Sequence, residues 1–152
     1  MKYIYIIGAH NGLRVSDVIT LKVKHLKIQK PTIREKKTGK SKRIYIPEKT
    51  RKTLVNRSEK RKDNDNDYIF QSPRDKKRHI SRQAVWKAFE KAENIAAKKG
   101  QRINVGTHSM RKAYAQKLLK KGKSYEDIRK KLNHAQYGDT LRYLIQPQAG
   151  GE

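Results

Sequence analysis

T-H-S-M-R at 107–111, L-N-H at 132–134 and T-L-R-Y at 140–143 decide how this chain is read. Thr107 begins a helix on which Met110, Tyr114 and Leu118 recur at helical spacing and face inwards. His108 and Arg111, three apart, share one face of that helix. Gly122 stops it, and Ser124-Tyr-Glu-Asp127 is a variant capping box for a following helix that buries Ile128 and Leu132. His134 and Tyr143 come after this helix. Two phrases near the N-terminus give these residues weight: G-L-R-V-S-D at 12–17 and K-K-T-G-K at 36–40.

Working outward, Tyr3 to His10 reads as the end of a buried helix that starts abruptly, which suggests a fragment of a longer protein. Asn11-Gly12 stops that helix, and Ser16 or its neighbour is expected to cap a short one carrying Val18, Ile19 and Leu21. Leu26 to Pro47 reads as strands, with Thr32–Lys36 and Lys42–Ile46 flanking a turn at Thr38-Gly39. Ile44 and Ile46 alternate with Arg43 and Tyr45, and Pro47 ends the hairpin. A short helix is expected from Arg51 to Asn56, then a polar loop from Ser58 to Asp67. The D-N-D-N-D within that loop fails as a calcium site, because Tyr68 and Arg74 stand where the loop needs its glycine and closing glutamate. Ser81 caps a helix with Val85, Phe89, Ala92 and Ala96 as its apolar stripe, Trp86 counted with the core, and Gly100 at its end. Mostly helical, with one small antiparallel hairpin, the chain falls in the α+β class.

At 152 residues the chain is one domain with a modest core. Lys and Arg number 39 against 14 Asp and Glu, a formal charge of +25. That excess exceeds what solubility needs and points to a polyanion, nucleic acid before membrane, because no helix pairs a broad apolar face with a basic one. Without cysteine there are no disulfides or thiolate metal sites. The longest apolar run, Tyr3 to Ile7, is too short to span a membrane and lacks a signal-peptide cleavage pattern, so a cytoplasmic protein is expected.

When a tyrosine oxygen attacks a DNA phosphodiester, negative charge gathers on the non-bridging oxygens, where fixed cations lower the barrier. Arginine suits this task, since its planar fork donates two hydrogen bonds to phosphate and never loses its charge. A free tyrosine has a pKa of about 10, so roughly one in a thousand is phenolate at pH 7. Neighbouring cations favour the phenolate, a histidine can take the proton, and a lysine can protonate the departing 5′-oxygen. This scheme needs no metal and no cofactor, and the usual ligand clusters are absent from the sequence.

In order and spacing these motifs resemble the catalytic domain of the tyrosine recombinases, the phage integrase family, from about Tyr5 to Tyr143. The resemblance implies a catalytic set of Arg14 in G-L-R, Lys37 in K-T-G, His108 and Arg111 in H-x-x-R, His134 in L-N-H, and Tyr143 as nucleophile. Asp17 takes the place of the family's supporting acidic residue, and Asn133 replaces a usual glycine at a helix end, a place asparagine tolerates. His25 stands where an aspartate is frequent, which touches only local packing. Lys36 and Lys40 rival Lys37 on the same turn, while spacing favours Tyr143 over Tyr114, Tyr125 and Tyr137. Lys40, Lys42, Arg82 and Gln83 are expected to face DNA, the last two from the family's habit of laying this helix in the major groove.

The implied activity is site-specific strand exchange on double-stranded DNA through a 3′-phosphotyrosyl intermediate, with several protomers assembled on the DNA. The alternatives are DNA relaxation of the type IB topoisomerase kind and a non-catalytic basic nucleic-acid-binding module. Residues 1–152 would form the catalytic domain without its very start and without the family's N-terminal DNA-clamping domain, and 146–152 a loose tail.

Overall fold

The computed structural model describes residues 1–101, 105–106 and 108–133. Six α-helices and one two-stranded hairpin follow in order: α1 (Lys2–Asn11), α2 (Val15–Ile19), a 3-10 turn (Val23–Leu26), β1 (Thr32–Arg34), β2 (Ser41–Arg43), α3 (Glu48–Arg61), α4 (Arg82–Lys98), α5 (Ser109–Lys120) and α6 (Tyr125–Leu132). The α+β class, mainly helical with a small antiparallel sheet, is what the sequence led one to expect.

Helix α1 lies at the centre because it is apolar and closely approached. Ile4 and Ile7 are buried on it, and Gly8 faces Met110 of α5. A β-carbon built on Gly8 would overlap the Met110 sulfur, so glycine here is a packing requirement. Gly12 ends α1 at φ 64°, in the left-handed region, and a β-carbon there would come within 2.5 Å of the Tyr114 ring. The tight turn sends Leu13 into the core and leaves Arg14 extended as the N-cap of α2. Ser16 is therefore inside α2 and caps nothing, contrary to expectation.

Asn11 joins this turn to the hairpin. Its buried amide donates to Tyr45 O at 2.8 Å and accepts from Tyr45 N at 2.7 Å, standing in for a neighbouring strand. The hairpin pairs Thr32 with Arg43, Ile33 with Lys42 and Arg34 with Ser41, and is shorter than its alternation suggested. Glu35 N donates to Lys40 O and Gly39 N to Glu35 O, which closes a loop over 35–40 in place of further ladder. Beyond Arg43 the backbone bonds to Pro31 and Asn11 instead of a strand. Leu26, expected at a strand start, ends the 3-10 turn.

Two other boundaries move. Helix α3 covers fourteen residues up to Arg61, well past Asn56, and Lys62 caps it in the left-handed conformation. Its charged residues are strong helix formers, so polarity misled where propensity would have served. On α4, Ser81 Oγ accepts from Ala84 N as a regular cap, and Val85, Phe89 and Ala96 are buried, but Ala92 is exposed. Trp86 is 49% exposed and does not belong to the core. The main core gathers α1, α2, the hairpin, α3 and α4 around Met110, while Ala115, Ile128 and Leu132 make a second cluster with Tyr114 and Leu118.

Gly8→Ala tests the α1–α5 contact. Alanine is the better helix former, yet the overlap with Met110 should cost about 1–3 kcal/mol of stability, as overpacked cores do. Urea unfolding of both proteins would read this as a lowered midpoint at unchanged slope.

Candidate active site

Arg111 sits in the first turn of α5 with 2% of its surface exposed. Nη1 donates to Gly12 O and Nη2 to Leu132 O, both at 2.6 Å. These carbonyls lie at the C-terminal ends of α1 and α6, where unsatisfied acceptors and the negative ends of the helix dipoles favour a cation. One buried guanidinium thus fixes the ends of two helices against the start of a third. Asn133, at φ 52°, caps α6 in the left-handed conformation, as anticipated for the residue in the glycine position.

Arg14, at the N-cap of α2, places Nη1 3.6 Å from Glu35 Oε2, with 20% of its side chain exposed. Asp17 is 2% exposed, and its Oδ1 accepts from Lys36 N at 2.9 Å. This holds the loop carrying Lys37 against α2, so the acidic residue of the G-L-R-V-S-D phrase acts on the hairpin backbone. Lys37 itself is exposed. His108 is the N-cap of α5 in position only, since its side chain makes no capping bond, and it is exposed.

Arg14, Lys37, His108 and Arg111 all line one open cavity of about 800 Å³. Lys36 lines it too, together with Arg82, Gln83 and Trp86, which share one face at the start of α4, and His79. Of the rival lysines on the turn, Lys36 reaches the cavity lining and Lys40 does not. His134 and Tyr143 lie outside the described residues. Among the described residues no cluster of His, Cys, Asp or Glu could hold a metal ion. The cavity wall is cationic and aromatic, suited to a phosphate flanked by bases.

Lys42 departs from expectation. It shares the inward face of the hairpin with Ile44 and Ile46, with 15% of its side chain exposed, and is not turned outward towards DNA. Nζ donates to Lys131 O at 2.9 Å, lies 3.9 Å from Glu35 Oε1 and sits 5.8 Å from the Tyr114 ring centre. Burial brings its pKa down to about 8, although Glu35 opposes that shift.

Glu35 was missed in the sequence. Its side chain is fully buried, and Oε2 accepts from Thr38 Oγ1 and Asn133 Nδ2, both at 2.8 Å. Burial pushes its pKa up, but Thr38, Asn133, Lys42 and Arg14 outweigh burial and hold it below the ordinary carboxylate range. A signal was present, for Glu35 is the only acidic residue between Asp17 and Glu48 and lies two places from inward-facing Ile33.

The fold is that of a tyrosine recombinase catalytic domain: a XerH site-specific recombinase, in a post-cleavage complex with palindromic difH substrate, superposes with a TM-score of 0.74 at 19% identity, over 97% of this chain and 42% of that one. The chain belongs to the phage integrase family, whose profile matches residues 3–148. It is 29% identical over 143 residues to the probable integrase/recombinase YoeC of Bacillus subtilis, covering 93% of this chain and 75% of the relative. It is 32% identical over 135 residues to the tyrosine recombinase XerA of Pyrococcus furiosus, where it covers 87% of this chain and 45% of the relative. The chain thus spans under half the length of that archaeal recombinase.

The depressed pKa of Lys42 gives a stability signature. Below pH 8 both folded and unfolded chains carry the proton, and the fold bears the cost of a buried cation. Between about 8 and the ordinary 10.5 the folded chain has released it while the unfolded chain has not, so stability rises with pH. At about 1.4 kcal/mol per pH unit, the gain across that window is at most about 3.5 kcal/mol. Lys42→Met, followed by urea unfolding from pH 7 to 10.5, should give a curve flatter than the wild type by that amount.

Proposed function

We propose that this chain carries the DNA breaking-and-rejoining centre of a tyrosine-type site-specific recombinase. Tyr143 attacks a phosphodiester and forms a 3′-phosphotyrosyl bond as the 5′-oxygen departs. Arg14, Arg111 and His134 hold the non-bridging oxygens, and their charge stabilises the transition state. His108 accepts the tyrosine proton, and Lys37 supplies one to the leaving 5′-oxygen. A 5′-hydroxyl from a second strand then attacks the phosphotyrosine, so the bond energy kept in the intermediate serves the exchange.

The observation that carries this reading is the convergence of Arg14 from the start of α2, Lys37 from the hairpin loop, and His108 and Arg111 from the start of α5 on one cavity. A surplus of +25 over a chain of this size suits double-stranded DNA as the substrate. The relatives are integrases and recombinases, which favours strand exchange over simple relaxation. Residues 1–152 act as the catalytic domain, working in the cytoplasm with a DNA-clamping domain and with other protomers assembled on the recombination sites. Arg82 and Gln83, at the mouth of the cavity, face the bases beside the scissile phosphate.

Incubation with a nicked suicide duplex tests the chemistry. The wild type should form an SDS-resistant protein–DNA adduct, and Tyr143→Phe should bind the duplex without forming one. Binding by both proteins with no adduct from either would leave a non-catalytic DNA-binding module. Affinity should also fall steeply with salt, and Lys40→Gln should lower the slope of log K against log salt by about 0.9, one phosphate contact.

A further inference from the structure

We propose that Glu35 is a positioning residue that locks three segments of the active site to one another through a single buried carboxylate. The proposal rests on the reading of Arg14 and Lys37 as the groups that face the scissile phosphate. Glu35 belongs to none of the motifs and does not line the cavity; it touches Arg14, which does, and residues next in sequence to Lys37 and His134.

Each of its partners belongs to a different part of the site. Thr38, which donates to Oε2, directly follows Lys37 in the hairpin loop. Asn133, which donates to the same oxygen, caps α6 and directly precedes His134. Arg14 approaches that oxygen to 3.6 Å from the start of α2, and Lys42 approaches Oε1 to 3.9 Å from β2. The backbone of Glu35 closes the loop over 35–40 from both sides. Movement of any one of these segments would break a bond that the others share.

Stability alone does not call for a carboxylate here. Taking an anion fully out of water costs several kcal/mol before its partners compensate. Among the described residues Oε1 receives no hydrogen bond, and the inward position two residues earlier, on β1, is filled by Ile33. An apolar side chain would fill that space without the desolvation cost, but could not orient a guanidinium, a hydroxyl and an amide at once. The charge also offsets repulsion between Arg14 and Lys42, both held near Arg111. With the carboxylate in place, cations that repel one another keep a fixed geometry before any phosphate arrives.

Glu35→Gln isolates this role, since the remaining amide oxygen still accepts from Thr38 and Asn133 while the charge facing Arg14 and Lys42 is gone. Three measurements on the same preparations decide. Side-chain NMR of Arg14 Nε–Hε and of the Asn133 amide should show both signals displaced. DNA affinity should stay within about twofold, while the single-turnover cleavage rate on the nicked duplex falls about 10- to 100-fold, as for a mispositioned reacting group. Asn133→Gly should lose less than Glu35→Gln, because it removes one hydrogen bond and leaves the charge facing Arg14 and Lys42 in place.

A cleavage rate equal to wild type overturns the proposal. So does a loss that merely tracks the unfolded fraction measured by urea titration, or a loss that appears wholly as weaker DNA binding. Should the wild type never form the adduct, the recombinase reading fails by itself. The NMR comparison still decides on Glu35: unmoved Arg14 and Asn133 signals sink it, and displaced signals support it.

Discussion

The structure depends on a cation that has almost no contact with water. Arg111 is buried where the C-terminal ends of two helices meet, and its two short bonds to Gly12 O and Leu132 O answer the question of where those end carbonyls find donors. A guanidinium sealed in this way would be costly without partners, and the two carbonyls with their dipoles supply them. Lysine could not replace it, because a single ammonium cannot reach two carbonyls along the edges of one rigid plane. The same contact brings the start of α5, the α1–α2 turn and the end of α6 to one place. Arg14 follows the turn by two residues, and Asn133 follows Leu132 by one, so the site is built around the residue that holds the fold.

A second set of polar contacts fastens the hairpin to this framework. The strands pair over only three residues each, too little to hold a two-stranded ribbon by itself. Instead Asn11 bonds the backbone of Tyr45, Asp17 accepts from Lys36 N, and Glu35 bonds across to Asn133. These three side chains are buried or nearly so, and each leaves one of the helices or strands around the cavity to grip another. The exposed tip with Lys37 is thereby free of apolar anchoring yet held at its base, an arrangement that leaves a long side chain room to move while its backbone stays fixed.

Most of this was legible where a residue type had one physical use. Gly12 reads as a helix end and Ser81 and Ser124 as caps, and the structure follows each of them; the alternation of Ile44 and Ile46 correctly marks two buried side chains, although the ladder stops at Arg43 before reaching them. The motif residues Arg14, Lys37, His108 and Arg111 meet at one cavity although nearly a hundred positions separate the first from the last. What failed did so because charge was read as exposure. Helix α3 runs on through lysines and arginines that read as loop, and Lys42 faces inward, as its parity with Ile44 and Ile46 requires. Glu35 escaped notice for the same reason, since its partners are close in space and far in sequence. Trp86 is the opposite error, an aromatic counted as core that stands half exposed at the cavity wall.

The charge balance explains why such errors cluster at the site. Across the chain, 39 basic residues face 14 acidic ones, so each carboxylate that the fold buries is placed against a strong field. Surface acids here make ordinary pairs, such as Glu48 with Arg51, and contribute little. The buried acids Asp17 and Glu35 both stand behind the cavity wall, Asp17 on the backbone of Lys36 and Glu35 beside Arg14. Helix-end carbonyls around Arg111 add partial negative charge from the same side. A cationic wall of this kind can keep its shape without an anion inside it only if negative charge stands behind it. The fold supplies that charge from its interior, beneath Arg14 and the exposed Lys37 on the cavity wall.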